Sequence, residues 1–175
     1  WRSKYSEVSE RWFYILGEFE SLLSFACLPG ISNNICMPAI METGKMIEAE
    51  KIGHPLLGND IRVNNDVGFS DSIFIVSGSN MSGKTTFLRT IGINLVLAKA
   101  GSFVCAKRMA CSVLSIMTSM RVSDDLNEGI STYYAELKRI KNIIELAKKT
   151  RNMIFLIDEI FKGTNSADRL NGAKK

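Results

Sequence analysis

The chain has 175 residues, 46% hydrophobic and 23% charged, with a formal net charge of +4. That is the size of one domain with an appendage, and the apolar content suffices for a core, which excludes a disordered chain. The mild charge, with no Lys/Arg run longer than two, gives no electrostatic footprint for nucleic acid, and no stretch reads as the ~20 apolar residues a bilayer span needs, so no membrane partner is expected.

Cys27, Cys36, Cys105 and Cys111 form no CxxC pair, and His54 is the lone histidine. The reading is reduced, mostly buried thiols in a cytoplasmic protein, without a zinc site. The chain opens on Trp1 already inside a helical pattern, and is read as a piece of something longer. Tyr5, Val8, Trp12, Ile15, Phe19, Leu22 and Ala26 recur at steps of three and four, a heptad seam that ends before Pro29-Gly30. Such a helix either packs on its own domain or leads to a neighbouring one. Proline, glycine and asparagine in residues 29–45 indicate a loop, so residues 1–45 form a connector and 46–175 the main domain.

Strands are expected around 46–52 and 61–67, with Gly53-His54-Pro55 between them; His54 is read as structural. A buried strand over 73–77 leads into a glycine loop. The loop opens a helix to about Ala100, apolar nearly all round, with Gly101 as its stop. Residues 113–120 read as a strand. An amphipathic helix runs from near Ser131 to Lys149 with Tyr134, Leu137, Ile140, Ile144 and Ala147 inward, and Met153–Ile157 is an apolar strand of the kind covered on both faces. Alternating strands and helices predict an α/β layered fold with a mostly parallel sheet flanked by helices.

Gly78-Ser79-Asn80-Met81-Ser82-Gly83-Lys84-Thr85-Thr86 fits the phosphate-loop pattern GxxxxGK[ST]. Glycines let backbone N–H groups turn towards phosphate oxygens, and the helix start aims its positive end at the same anion. Lys84 supplies a full charge, and the Thr85 hydroxyl is a Mg²⁺ ligand candidate. The competing reading is a fortuitous glycine-rich turn, which the strand before and helix after disfavour.

Asp158 and Glu159 end the last apolar strand, where ligands gather in such sheets. Asp158 is placed to hold Mg²⁺ and Glu159 to accept a proton from an attacking water. Taken alone, two acids after a strand are as easily a solvated turn. Residues 123–132, SDDLNEGIST, end at a helix start; Ser131 is either a simple cap or a second anion site, one that a facing chain could use.

GSNMSGKTTFLRTIGIN, TSMRVSDDLNEGISTYYAELKRI and FLIDEIFKGTNSADRLNGAK, in that order, resemble the ATPase domain of MutS-type DNA mismatch-repair proteins, within the ABC ATPase superfamily. Gly53-His54-Pro55-Leu56 and Asn65-Asp66 resemble the opening of that domain. The resemblance spans residues 46–175, and the leading helix resembles the end of the family's lever and clamp region. It implies an ABC-type P-loop NTPase that binds ATP with Mg²⁺, pairs with a second copy, and serves a nucleotide-switched clamp on mismatched DNA through other domains. By motif, Ser131 would touch the γ-phosphate bound to the partner chain, Gly163, Thr164, Asn165 and Ser166 would line the dimer interface, and Asn80 would contact the nucleotide. The chain stops before the family's switch histidine and C-terminal dimerisation helices, so the fragment is expected to bind nucleotide far better than it turns it over. A clasp that binds nucleotide with little hydrolysis, in recombination control or another nucleic-acid process, is the alternative, and a small-molecule kinase a weaker one. SDDLNEGIST departs from the LSGGQ of transporter ATPases.

Overall fold

The computed structural model describes residues 2–120 and 132–158. Helix α1 (Arg2–Ala26) is followed by a 3-10 turn (Leu28–Ile31), then β1 (Ala39–Met41), β2 (Ile47–Ile52), β3 (Asn65–Phe69), α2 (Lys84–Lys99), β4 (Arg108–Ser112), β5 (Ser115–Ser119), α3 (Thr132–Lys149) and β6 (Met153–Ile157).

The fold is α/β, but its sheets are mixed. A four-stranded sheet runs β1-β4-β2-β3, and β5 pairs with β6 in a second, parallel sheet. Only β1–β4 is parallel in the larger sheet; β4–β2 and β2–β3 are antiparallel. The expected mostly parallel sheet is therefore corrected. Alternation of buried and exposed residues along β2 fits this arrangement, because an antiparallel strand with one covered face buries every second side chain.

Helix α2 joins the two sheets into one core. Its Ile91, Leu95 and Ala98 lie in a single cluster with Ile47, Ala49, Val67 and Met109 from the larger sheet and Leu156 from β6. Full burial of an aliphatic side chain contributes about 1.5–3 kcal/mol, so this shared cluster holds α2 between the sheets. Gly92 allows a close approach, since a Cβ there would stand 3.0 Å from Leu156 Cδ1. Gly101, at φ +75°, stops the helix in the left-handed conformation as expected.

A bulge interrupts the β2–β3 ladder between Ala49 and Ile52. Lys51 takes a left-handed φ of 53° there, and its N–H donates to Asp66 Oδ1 at 2.8 Å. Asp66 thus stabilises a backbone conformation that costs a non-glycine residue roughly 1–2 kcal/mol.

Several expected elements are displaced. Residues 73–77 form no strand, and Ile73 and Ile75 are 79% and 89% exposed. Among the described residues no strand pairs with them, and a buried strand needs lateral partners for its N–H and C=O groups. β3 begins at Asn65 rather than near 61, because residues 58–62 turn back on Gly58 O through the N–H groups of Ile61 and Arg62. β1 lies inside the expected loop. Along α3 the covered face centres on Ile143, 5% exposed, whereas Tyr134 and Ile144 are 59% and 50% exposed. Ala147 is exposed as well, and Leu137 and Ile140 are half-buried. Val96 of α2 and Phe155 of β6 are exposed too, so neither element is covered all round.

Helix α1 meets the 3-10 turn after it and leaves Trp12, Ile15, Phe19 and Leu22 exposed. Residues Val8–Ile31 are long and apolar enough, with an 18-residue stretch reaching a mean hydropathy of 1.2, to cross a membrane by length and composition. That corrects the expectation that no stretch qualifies. Charges at Glu10, Arg11, Glu18 and Glu20 oppose insertion, each acid at mid-bilayer costing about 2.5–3.5 kcal/mol. Of the thiols, Cys105 and Cys111 are buried and Cys27 exposed. Burial raises the Cys111 thiol above its ordinary range, which keeps it protonated and inert.

Candidate functional site

The glycine loop precedes α2 directly. Met81 and Gly83 both take left-handed conformations, at φ 63° and 88°, and these reverse the chain around Ser82. A Cβ on Gly78 would meet Ser82 Oγ at 2.8 Å, so glycine there lets the Ser82 hydroxyl keep its place against the loop. Ser82 N–H donates to Ser79 O at 3.3 Å across the turn.

Gly83 caps α2 without any side-chain hydrogen bond, and the first helical bond runs from Phe87 N–H to Gly83 O at 2.8 Å. The N–H groups of Lys84, Thr85 and Thr86 therefore have no acceptor within the helix and sit at its positive end. Lys84 Nζ donates to Gly78 O at 2.9 Å and Ser79 O at 2.6 Å, which folds the ammonium over the loop. An ammonium has three donors, so a third hydrogen is available for an anion.

The decisive contact crosses the molecule. Thr85 Oγ1 donates to Asp158 Oδ2 at 2.6 Å, joining residues 73 apart in sequence. α2 delivers the hydroxyl from its first turn, and Asp158 leaves the C-terminal end of β6, held by its N–H donating to Ser119 O at 3.0 Å. The close packing at Gly92 sets helix against strand so that the two side chains meet. A hydroxyl and a carboxylate at one point form a hard oxygen pair of the kind Mg²⁺ takes, with waters and phosphate oxygens completing its shell. This donor set fits the ion.

A cavity of about 470 Å³ lies beneath, walled by Phe74, Val76, Phe87, Ile91, Ile154 and Leu156, with Lys84 and Asp158 also on its lining. None of residues 78–83 lines it, so of the phosphate loop Lys84 alone borders the cavity.

Residues Gly78 to Thr86 and Asp158 are thus placed as one constellation. Ser131, Glu159, Gly163, Thr164, Asn165 and Ser166 lie outside the described residues. His54 stands apart: its Nδ1 accepts from Leu56 N–H at 3.3 Å, and burial, then Arg89 and Arg62, lower its pKa below the ordinary 6.5. It serves the 53–57 turn as a neutral ring. Sequence reasoning missed Arg62 and Asn94, both buried polar residues. An asparagine inside an otherwise apolar helix face was the available signal for the second.

The family profile described as MutS domain V matches residues 74–174. The chain belongs to the MutS domain V family. It is 32% identical over 165 residues to the DNA mismatch repair protein MutS of Clostridium kluyveri, covering 90% of this chain and 18% of that protein. It is 34% identical over 166 residues to the MutS of Chlorobium chlorochromatii, with 90% and 18% covered. To the DNA mismatch repair protein MSH3 of Vanderwaltozyma polyspora it is 36% identical over 141 residues, covering 77% of this chain and 14% of that protein. The chain thus spans less than a fifth of the length of these relatives. In this MutS domain V chain the matched segment holds the phosphate loop, α2, β4, β5, α3 and β6, and so both ends of the Thr85–Asp158 contact.

Proposed function

We propose that this chain is an Mg²⁺-dependent ATP-binding and hydrolysing domain of ABC-type P-loop architecture within a MutS-type mismatch-repair protein. The observation that carries the reading is the 2.6 Å contact between Thr85 Oγ1 and Asp158 Oδ2 beside an uncapped helix start and Lys84. Bound Mg²⁺ would neutralise phosphate charge and fix the outer phosphates. Thr85 and Asp158 hold it, Lys84 reaches the outer phosphate oxygens, and the N–H groups from Gly78 to Thr86, with Asn80, wrap the rest. Glu159 is assigned the proton from the attacking water, being adjacent to Asp158.

In the whole protein we assign this domain to a homodimer. Ser131 contacts the γ-phosphate held by the partner chain, and residues 163–166 line the interface. ATP binding and hydrolysis there drive a clamp on mismatched or distorted DNA, gripped by domains outside this chain. The cytoplasm is the assigned compartment. A second reading, a nucleotide-gated dimerisation clasp with little hydrolysis, is favoured by the exposed heptad face of α1, which suits a helical partner.

Glu159→Gln in the full-length protein separates the two. Preserved ATP binding with turnover reduced roughly 100-fold or more, the scale of a lost general base, supports the hydrolase. Unchanged turnover removes Glu159 from its role, and ATP-dependent dimers without phosphate release in the unmodified protein select the clasp.

A further inference from the structure

Asn94 is fully buried, at 0% exposure, two turns along α2 from the phosphate loop. Its Nδ2 donates to Gly53 O at 3.0 Å and Thr90 O at 2.8 Å, and its Oδ1 accepts from Cys105 N–H at 2.7 Å. Gly53 N–H donates to Cys105 O at 2.8 Å, which closes a ring joining α2, the end of β2 and the segment ahead of β4. Every strong donor and acceptor of the ring is satisfied by another member, so the three backbones move together or not at all.

Arg62 lies directly against this ring. A side chain on Gly53 would collide with Arg62 and Asn64. Arg62 as a whole is 8% exposed and, among the described residues, has no ion-pair partner. Its charge rests on oxygen dipoles: Nε donates to His54 O at 2.9 Å, Nη1 to Asn59 Oδ1 at 3.1 Å, and Nη2 to both Leu57 O and Ile31 O, the last at 3.4 Å. Three of these acceptors suffice to hold the 53–62 turn. The fourth, Ile31 O, belongs to the 3-10 turn that ends the connector helix.

We propose that Arg62 is a positioning residue that couples the connector to the nucleotide helix. The path runs from Ile31 through Arg62 to His54 and Gly53, then through Asn94 into α2 and the loop at its start. A second strut meets the same hub, because Cys36 and Val104 exchange backbone hydrogen bonds of 3.1 and 2.9 Å next to Cys105. The fork geometry of a guanidinium is what lets one side chain hold the turn and Ile31 O at once; a lysine ammonium presents a single point. Occupancy of the phosphate loop and the setting of the connector turn are linked through it, and the linkage is reciprocal.

This inference rests on the nucleotide reading above. Amide hydrogen exchange of this chain, with and without Mg-ATP, tests it. In the unmodified chain Mg-ATP is expected to slow exchange at residues 78–86 and, by about fivefold or more, at 28–33, the lower end of ordinary coupling energies. In Arg62→Met the slowing persists at 78–86 and disappears at 28–33. If the methionine variant does not fold, Arg62→Lys carries the test, with the effect at 28–33 cut by roughly half or more. Protection at 28–33 that survives in a folded Arg62 variant overturns the coupling alone. Protection at 78–86 without any at 28–33 in the unmodified chain does the same. No protection at 78–86 overturns the nucleotide reading, and the coupling falls with it.

Discussion

Asn94 shows how one polar side chain can be worth more buried than exposed. Removing its amide leaves Gly53 O and Cys105 N–H inside the core with no acceptor or donor. Each unsatisfied group costs about 1–3 kcal/mol. Asn94→Leu, which keeps the branched outline but no polar atom, is therefore expected to destabilise the chain by about 3 kcal/mol and lower its thermal midpoint by on the order of 6–12 °C. A calorimetric midpoint within about 1 °C of the unmodified chain would show that the ring carries little of the stability. The tight turn over Gly78 to Thr85 and the helix it opens were legible in the sequence, because such a loop is a local pattern whose spacing reports its own geometry. Arg62 and Asn94 were not, because their partners, Ile31, Gly53 and Cys105, are assembled only by the fold.

At the scale of elements, the same distinction separates what was readable from what was not. α1, α2, α3, β2, β5 and β6 follow from local periodicity and from the stops at Pro29 and Gly101, and their bounds fall within a few residues of expectation. The pairing of β4 with both β1 and β2 does not, since antiparallel and parallel ladders leave no separate mark in five residues such as Arg108–Ser112. Residues 73–77 have the composition of a central strand, yet strand formation also depends on neighbours that composition does not name. The α3 face was placed one residue off, at Ile144 instead of Ile143, because apolar side chains occupy both positions. α2 against β6 is the contact on which the site depends. Gly92→Val would force α2 away from Leu156, since even a Cβ stands 3.0 Å from Cδ1. It is expected to cost about 1–3 kcal/mol of stability, and to weaken Mg-ATP binding by separating Thr85 from Asp158. Titration calorimetry showing unchanged Mg-ATP affinity would mean that helix placement does not set the metal pair.

Across the whole molecule, one core serves two jobs. The mixed sheet anchors the connector through β1 and the Cys36–Val104 bridge, and the parallel pair carries the acid, with α2 between them. The MutS domain V match starts at Phe74, just ahead of the phosphate loop, and takes in β4 of the mixed sheet together with the parallel pair. The central claim is that Lys84, Thr85 and Asp158 form one magnesium-nucleotide site. Titrating ATP into the chain with and without Mg²⁺, and repeating it with Asp158→Asn, tests this most directly. Mg²⁺ is expected to strengthen binding by about tenfold or more in the unmodified chain, about 1.4 kcal/mol, and to add little in the variant. Magnesium-independent affinity in the unmodified chain, or an equal gain in Asp158→Asn, would contradict the account.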